Sequence, residues 1–443
     1  MMKAREIAVQ ALREVEVNHA KSDTALNHFF SITALEPVDR AFTMQIVYGT
    51  LREKMKIDHV IKQFYRHDYD KMDIDVKNIL RIGAYQLLFL SKVPRWAAVN
   101  ESVELAKKLK GQFLGNLVNG VLRNISNNLE SVDFSIQGGT FADQIALKYS
   151  HPRWLLERWI STYGFLEAQN IMEANNLIPR IAFRINRLKN APEKFQQKLL
   201  AENVTFRKSI LPDFVIPDRF FDLEPFLSTG EVSVQSEAQA LACRLLNPQP
   251  GQKVLDMCAA PGGKSTYLAE MMANAGQITS LDLYDNKLED IDRLASALGI
   301  DIISTIKHDA TRFSHEEGFD AILLDAPCTG TGVLSRRAEL RWRLSEADLA
   351  ALSNLQYQLL ENAAKMAKPD AAIVYSTCSI EPEENQVLIE KFLNAHPEWQ
   401  LQSAIEILPD EFHEVVHDKG YISLLPGKNG FDGAFSARLV RKA

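Results

Sequence analysis

The sequence predicts a three-part chain: an all-helical N-terminal domain, a small α+β insert and a C-terminal doubly wound α/β domain. Three observations carry this. Apolar residues recur at three- and four-residue steps over roughly the first 140 positions, the spacing of buried helix faces. From Glu231 onward, short apolar runs alternate with helical segments, the pattern of a parallel sheet with crossover helices. And 443 residues exceed what one ordinary core encloses.

The elements follow in order. Ala4, Ile7, Ala8, Ala11, Leu12 and Val15 form one apolar stripe. A second helix starts after Asp39 and carries Ala41, Phe42, Ile46, Val47 and Leu51. Others span Val76–Leu90, Val99–Leu109 and Leu114–Ile125, with the breakers Pro94 and Gly111 between them. The stretch Ser126–Thr140 closes a first domain, residues 1–140. In residues 141–230, Trp154–Trp159 and Leu166–Ala174 read as helical. Arg180–Leu188 alternates as a strand, followed by a helix at Lys194–Glu202 and a strand at Val204–Lys208. In residues 231–443 the apolar runs are Val254–Met257, Ile278–Leu283, Ile302–Ile306, Ala321–Leu324 and Ala372–Tyr375. Helices are expected near Lys264–Met272, Asn286–Leu298, Ala347–Met366 and Glu383–Asn394. Sheets of this kind bind ligands at the carboxyl ends of their strands.

Composition narrows the class. Hydrophobic residues make up 46% and charged residues 24%, as in soluble globular proteins. The apolar run Ile79–Leu90 is broken by Arg81 and Gly83 and falls short of the roughly 20 residues of a membrane span. No apolar leader follows Met1, so a cytoplasmic protein with no membrane partner is expected. Cys243, Cys258, Cys328 and Cys378 show no metal-ligand spacing, so neither a metal nor disulfides are expected. A monomer is the simplest expectation. The net charge of −7 argues against nucleic acid, but the N-terminal third is slightly basic, and a local basic stripe suffices for structured RNA.

Lys253-Val254-Leu255-Asp256-Met257 runs into Cys258-Ala259-Ala260-Pro261-Gly262-Gly263-Lys264. A buried strand, a loop of small residues and a helix start hold nucleotide-like ligands: glycines admit the backbone, and the helix N-terminus favours an anion. Asp282, ending the next run, can accept bonds from ribose hydroxyls. The loop lacks the G-x-G-x-x-G spacing of nicotinamide sites, and two adjacent glycines before Lys264 do not make a P-loop.

Two further strands end in chemistry. One leads into Asp325-Ala326-Pro327-Cys328, the other into Ser376-Thr377-Cys378. A lone cysteine there is more often a small core residue. Two at corresponding strand ends favour covalent catalysis, and methylation of a pyrimidine carbon is a reaction that uses them. A thiolate added to carbon 6 makes carbon 5 nucleophilic, and a base later removes the carbon-5 proton. Asp325 is placed to steady the ring as charge builds. A helix start near Glu383 would favour the thiolate of Cys378. The residues alone do not rank the two cysteines.

The strings Asp256–Lys264, Asp325–Gly330, Ser376–Ser379 and Gly430–Ala437 resemble the Sun group of RNA cytosine-5 methyltransferases. Asp39–Phe42, Val47–Arg52, Leu80–Leu90, Val99–Lys107 and Val118–Arg123 are similar to the NusB-like domain of bacterial 16S rRNA methyltransferases. The resemblance implies a NusB-like RNA-binding N-terminal domain, a linker or RNA-binding α+β subdomain, and a Rossmann-like domain using S-adenosylmethionine. It implies 16S rRNA as substrate, Cys378 as nucleophile and Cys328 as the residue that assists release. It implies cofactor contacts from Cys258, Ala259, Ala260, Pro261, Gly262, Gly263, Lys264, Asp282, Asp309 and Asp325. The chain departs from the pattern at Ser236-Glu237, Ala338-Glu339 and Ala434.

Arg336, Arg337, Arg341 and Trp342 set basic groups around an aromatic, which suits phosphate neutralisation and base stacking. A solvated helix start with a half-buried tryptophan would look the same. Two rival functions are a tRNA cytosine-5 methyltransferase and a catalytically silent RNA-binding assembly factor.

Overall fold

The computed structural model describes residues 2–442. The fold divides into two compact units. The first runs up to Leu177 and also takes in Leu334–Arg343; the second comprises Ile178–Val333 and the chain from Leu344 onward. No helix among the described residues is long and apolar enough to cross a membrane.

The first unit opens with seven helices: α1 (Met2–Val17), α2 (Ser22–Ile32), α3 (Pro37–Arg52), α4 (Lys54–Phe64), α5 (Ile74–Phe89), α6 (Arg95–Lys110) and α7 (Gln112–Asn127). The stripe from Ala4 to Val15 is buried throughout. Two helices, α2 and α4, escaped the sequence reading because they are short and their apolar stripes narrow. Asp73 caps α5 by accepting from the Asp75 and Val76 amides. Inside the bundle, Arg81 is held between Asp58 and Glu16, at 2.6 and 2.7 Å. Helix α8 (Phe141–Tyr149) was not anticipated, and the two helices expected with the α+β insert, α9 (Arg153–Tyr163) and α10 (Phe165–Asn176), fall with it in the first unit. One tie is local: the Met55 amide at the start of α4 donates to Ser150 Oγ at the end of α8, at 3.1 Å.

The second unit holds two sheets. The small one has the order β2-β3-β1-β4, all antiparallel: β1 is Phe183–Ile185, β2 Phe206–Lys208, β3 Phe214–Pro217 and β4 Val232–Val234. Helices α11 (Pro192–Ala201) and α12 (Glu224–Ser228) connect its strands. Helix α13 (Glu237–Leu246) leads into the large sheet. Its strands are β5 (Lys253–Asp256), β6 (Gln277–Asp282), β7 (Ile303–Lys307), β8 (Phe319–Asp325), β9 (Ala367–Thr377), β10 (Trp399–Gln402), β11 (Ile422–Leu424) and β12 (Ala434–Arg441). Helices α14 (Gly263–Met271), α15 (Asp285–Leu298), α16 (Glu346–Met366) and α17 (Gln386–Ala395) join them.

The order is β10-β12-β9-β8-β5-β6-β7, with β11 on β12. The five expected strands are parallel, while β12 inserts antiparallel beside β9. The sheet is therefore mixed, and its last three strands were missed because they are short or lie beyond the last crossover helix. The chain leaves β5 toward β6 on one side and returns to β8 on the other. The crevice at the carboxyl ends of β5 and β8 is thus the topological switch point, where open α/β sheets bind ligands.

Candidate active site

Three strands deliver side chains to that crevice. Asp325 ends β8, Ser376 lies near the end of β9, and Lys264 stands in the first turn of α14, the helix after β5. Lys264 Nζ pairs with Asp325 Oδ2 at 2.6 Å, and Ser376 Oγ donates to Asp325 Oδ1 at 2.9 Å. Parallel pairing of β8 with β9 sets Asp325 against Ser376 in register. The lysine is buried; losing water would discharge it, but the Asp325 charge and hydrogen bond outweigh that and raise its pKa.

The two cysteines meet here. Cys328 Sγ lies 3.3 Å from Cys378 Sγ. The Cys328 thiol is pushed well up, first by its hydrogen bond to Cys378 and then by burial. Lys264 is close enough to Cys378 for their charges to interact. The helix expected near Glu383 begins at Gln386, after a tight turn at Pro382–Glu384. That turn swings Glu384 inward, where it accepts from the Thr329 amide at 2.8 Å and from Gln356 Nε2 at 2.9 Å. Burial raises the Glu384 pKa.

The loops are stitched through main chain. The Gly332 amide donates to Cys378 O at 3.0 Å, and the Gly433 amide to Gly332 O at 2.8 Å. A Cβ at Gly332 would meet Gly433 O at 2.4 Å and Cys378 O at 2.8 Å, so only glycine fits.

The loop after β5 lies beside this pair. Gly262 adopts φ +97°, and a Cβ there would stand 3.0 Å from Ile291 Cα of α15. The Gly263 Cβ position is open to 3.9 Å. Beneath the loop, the buried Asp256 accepts from Ser265 Oγ at 2.7 Å, and Ser265 in turn accepts from Ser280 at 3.1 Å. Burial raises the Asp256 pKa to about 7. Asp282 lies 3.4 Å from Lys287 Nζ. Asp309, two residues past β7, accepts from the Thr311 amide at 2.9 Å and hydroxyl at 2.7 Å, which lowers its pKa.

Residues 243–440 match the family model of the 16S rRNA methyltransferases RsmB/F. A probable ribosomal RNA small subunit methyltransferase B from Bacillus subtilis is 33% identical over 449 residues, covering 99% of this chain and 98% of that protein. The chain belongs to the RsmB/F methyltransferase family.

Two further family models place the flanking regions: residues 2–127 match the NusB family, and residues 151–223 match the ferredoxin-like domain of RsmF/B-type methyltransferases. A probable ribosomal RNA small subunit methyltransferase B of Synechocystis is 34% identical over all of both chains. The crystal structure of PH0851 superposes with a TM-score of 0.84 at 29% identity, covering 99% of each chain. As an RsmB/F member the enzyme uses S-adenosylmethionine. The loop fits such a cofactor: Gly262 lies flush on α15, the Gly263 side is open, and acids end or follow the two neighbouring strands.

The structure corrects one group of expected RNA contacts. Arg341 is fully buried in the first unit, and its guanidinium donates to the carbonyls of Ser150 and Asn175, both at 3.0 Å, and to Asn176 Oδ1 at 2.9 Å. Trp342 Nε1 donates to Leu51 O at 2.6 Å. These are helix-end carbonyls, which need donors as much as a phosphate does, so Arg341 does not present itself to RNA, while Trp342 spends its indole N–H on the fold and keeps a half-buried ring. Arg336 and Arg337 are half-buried. The departures from the family pattern also find partners. Ala338 joins the first unit's core, and Glu339 accepts from Ser22 Oγ at 2.9 Å. Ser236 Oγ donates to Asp432 at 2.8 Å, and Ala434 opens β12 opposite Leu424.

Sequence reasoning missed Ser376, Glu384 and the pairing role of Lys264. Ser376 could have been found by aligning the ends of the two cysteine-bearing strands.

Proposed function

We propose that the enzyme methylates carbon 5 of a cytosine in 16S rRNA through a transient bond between that base and Cys378. The Cys328–Cys378 pair beside Lys264–Asp325 carries this reading. S-adenosylmethionine supplies the electrophilic methyl group. The loop Cys258–Lys264, with Asp282, Asp309 and Asp325, holds it.

Cys378, favoured as thiolate by Lys264, adds to carbon 6 and pushes an electron pair onto carbon 5. A cytosine edge offers an acceptor at N3 and a donor at N4. Lys264 and Asp325 present a donor and an acceptor side by side, the two kinds of group that a cytosine edge needs. The contact with Cys378 is the first reason that Cys328 holds its proton. Once Cys378 is bonded to carbon that contact no longer holds the proton: Cys328 releases it to solvent and, after carbon 5 has taken the methyl group, the Cys328 thiolate removes the proton from carbon 5. The sulfur–carbon bond then breaks and Cys378 leaves as thiolate. The target base must leave its stack to reach the crevice. The NusB-like domain, with Arg336 and Arg337, serves RNA binding.

The test is transfer of labelled methyl to purified unmethylated small-subunit rRNA and to tRNA, followed by bisulfite sequencing. Label in one cytosine of the rRNA is expected. Label on tRNA alone, or on a nitrogen, overturns the reading.

A further inference from the structure

The small sheet reaches the cofactor loop through one side chain. Arg184, in the middle of β1, is fully buried and uses every N–H of its guanidinium. Nε and one terminal nitrogen donate to Glu270 Oε1 at 3.2 and 2.8 Å, and that terminal nitrogen also donates to Thr266 Oγ1 at 3.0 Å. The other terminal nitrogen donates to Gly263 O at 2.8 Å and to Gln235 Oε1. The guanidinium carbon sits 4.9 Å from the Tyr267 ring centre.

This fork decides how Gln235 is turned. Arginine has no acceptor, so the atom facing it must be the amide oxygen, and Nε2 points away. Gln235 is only 6% exposed, yet Nε2 has no hydrogen-bond partner among the described residues. A Cβ built on Gly263 would find that nitrogen as its nearest neighbour, 3.9 Å away. Gly263 is the first residue of α14. Leaving a buried donor without an acceptor is costly, so something bound should satisfy it. Beside a helix N-terminus, that something is an anion.

We infer that Gln235 donates its free amide N–H to the amino-acid carboxylate of S-adenosylmethionine, and that Arg184 is the positioning residue that turns it there. The inference rests on the family's cofactor and not on which RNA atom is methylated. Arg184 acts only through Gln235 and the carbonyl of Gly263. The small sheet thereby becomes part of the cofactor site.

Calorimetric binding of two probes tests this: S-adenosylhomocysteine, which carries the carboxylate, and 5′-methylthioadenosine, which lacks it. Gln235→Ala should bind the first about tenfold more weakly, the loss of one hydrogen bond to a charged group, and the second within about twofold of wild type. Arg184→Ala should show the same pattern, restored by added guanidinium, while Arg184→Lys stays impaired because one ammonium cannot replace the fork. Wild-type affinity of Gln235→Ala for S-adenosylhomocysteine, or equal loss for both probes, overturns the carboxylate contact. Failure of guanidinium to restore a folded Arg184→Ala overturns the positioning role. Should Arg184→Ala not fold, the Gln235→Ala comparison still decides the contact.

Discussion

Cys328 and Cys378, fifty residues apart in sequence, bring their sulfurs to 3.3 Å because β8 and β9 are parallel neighbours ending in the same crevice. In the proposed mechanism one sulfur bonds the base while the other remains within reach of the adduct. Cys378→Ala is expected to abolish methylation and leave no covalent complex. Cys328→Ala is expected to form the adduct and fail to release it, giving a protein–RNA band that survives denaturing electrophoresis. An exchange of these behaviours would reverse the two roles.

The Lys264–Asp325 pair invites a charge-neutral substitution. Asp325→Asn keeps the shape, removes the anion that holds Lys264, and leaves a buried cation without its partner. Turnover should fall by about a hundredfold or more, as when an electrostatic stabiliser is lost at a reacting centre. Ser376→Ala, which removes one hydrogen bond to the same carboxylate, should cost far less. Single-turnover rates under saturating RNA and cofactor measure both, and equal losses would contradict the ordering.

Asp256 gives a pH prediction. Burial raises its pKa to about 7, above the roughly 3.9 of an unfolded aspartate. Between these values the folded state holds a proton that the unfolded state has released. Its contribution to stability is therefore full below about pH 4 and is lost as pH rises through 7. Asp256→Asn, which cannot ionise, should show a flatter melting temperature between pH 5 and 8 than wild type. Parallel curves for the two proteins would refute the shift.

Arg341 separates an internal brace from an RNA contact. Arg341→Ala strands buried helix-end carbonyls and should destabilise the first unit by about 3 kcal/mol. The salt dependence of RNA affinity should stay unchanged, whereas Arg336→Ala or Arg337→Ala should flatten it. Denaturant melts and binding titrations at several salt concentrations make the comparison. A reduced salt slope for folded Arg341→Ala would return that residue to the RNA surface.

The chemistry was legible where the determining interactions are local. The strand, glycine turn and helix start of Val254–Lys264 are set by neighbours in sequence, so the cofactor loop could be read directly. The acids and cysteines at strand ends were legible because apolar runs mark where each strand stops. What the residues could not reveal was direction. Arg341 and Trp342 carry the signature of a nucleic-acid contact, yet backbone carbonyls from distant helices claim their donors. The same holds for Leu334–Arg343, which sits inside the catalytic half of the sequence but folds with the N-terminal helices. The antiparallel insertion of β12, the inward turn of Glu384 and the link from Arg184 to Gln235 likewise depend on partners tens to hundreds of residues away. Sequence by itself determined which reactive groups the chain owns and at which strand ends they stand. Tertiary structure alone decided which partners those groups face, because a donor's target is fixed by whatever acceptor the fold buries beside it.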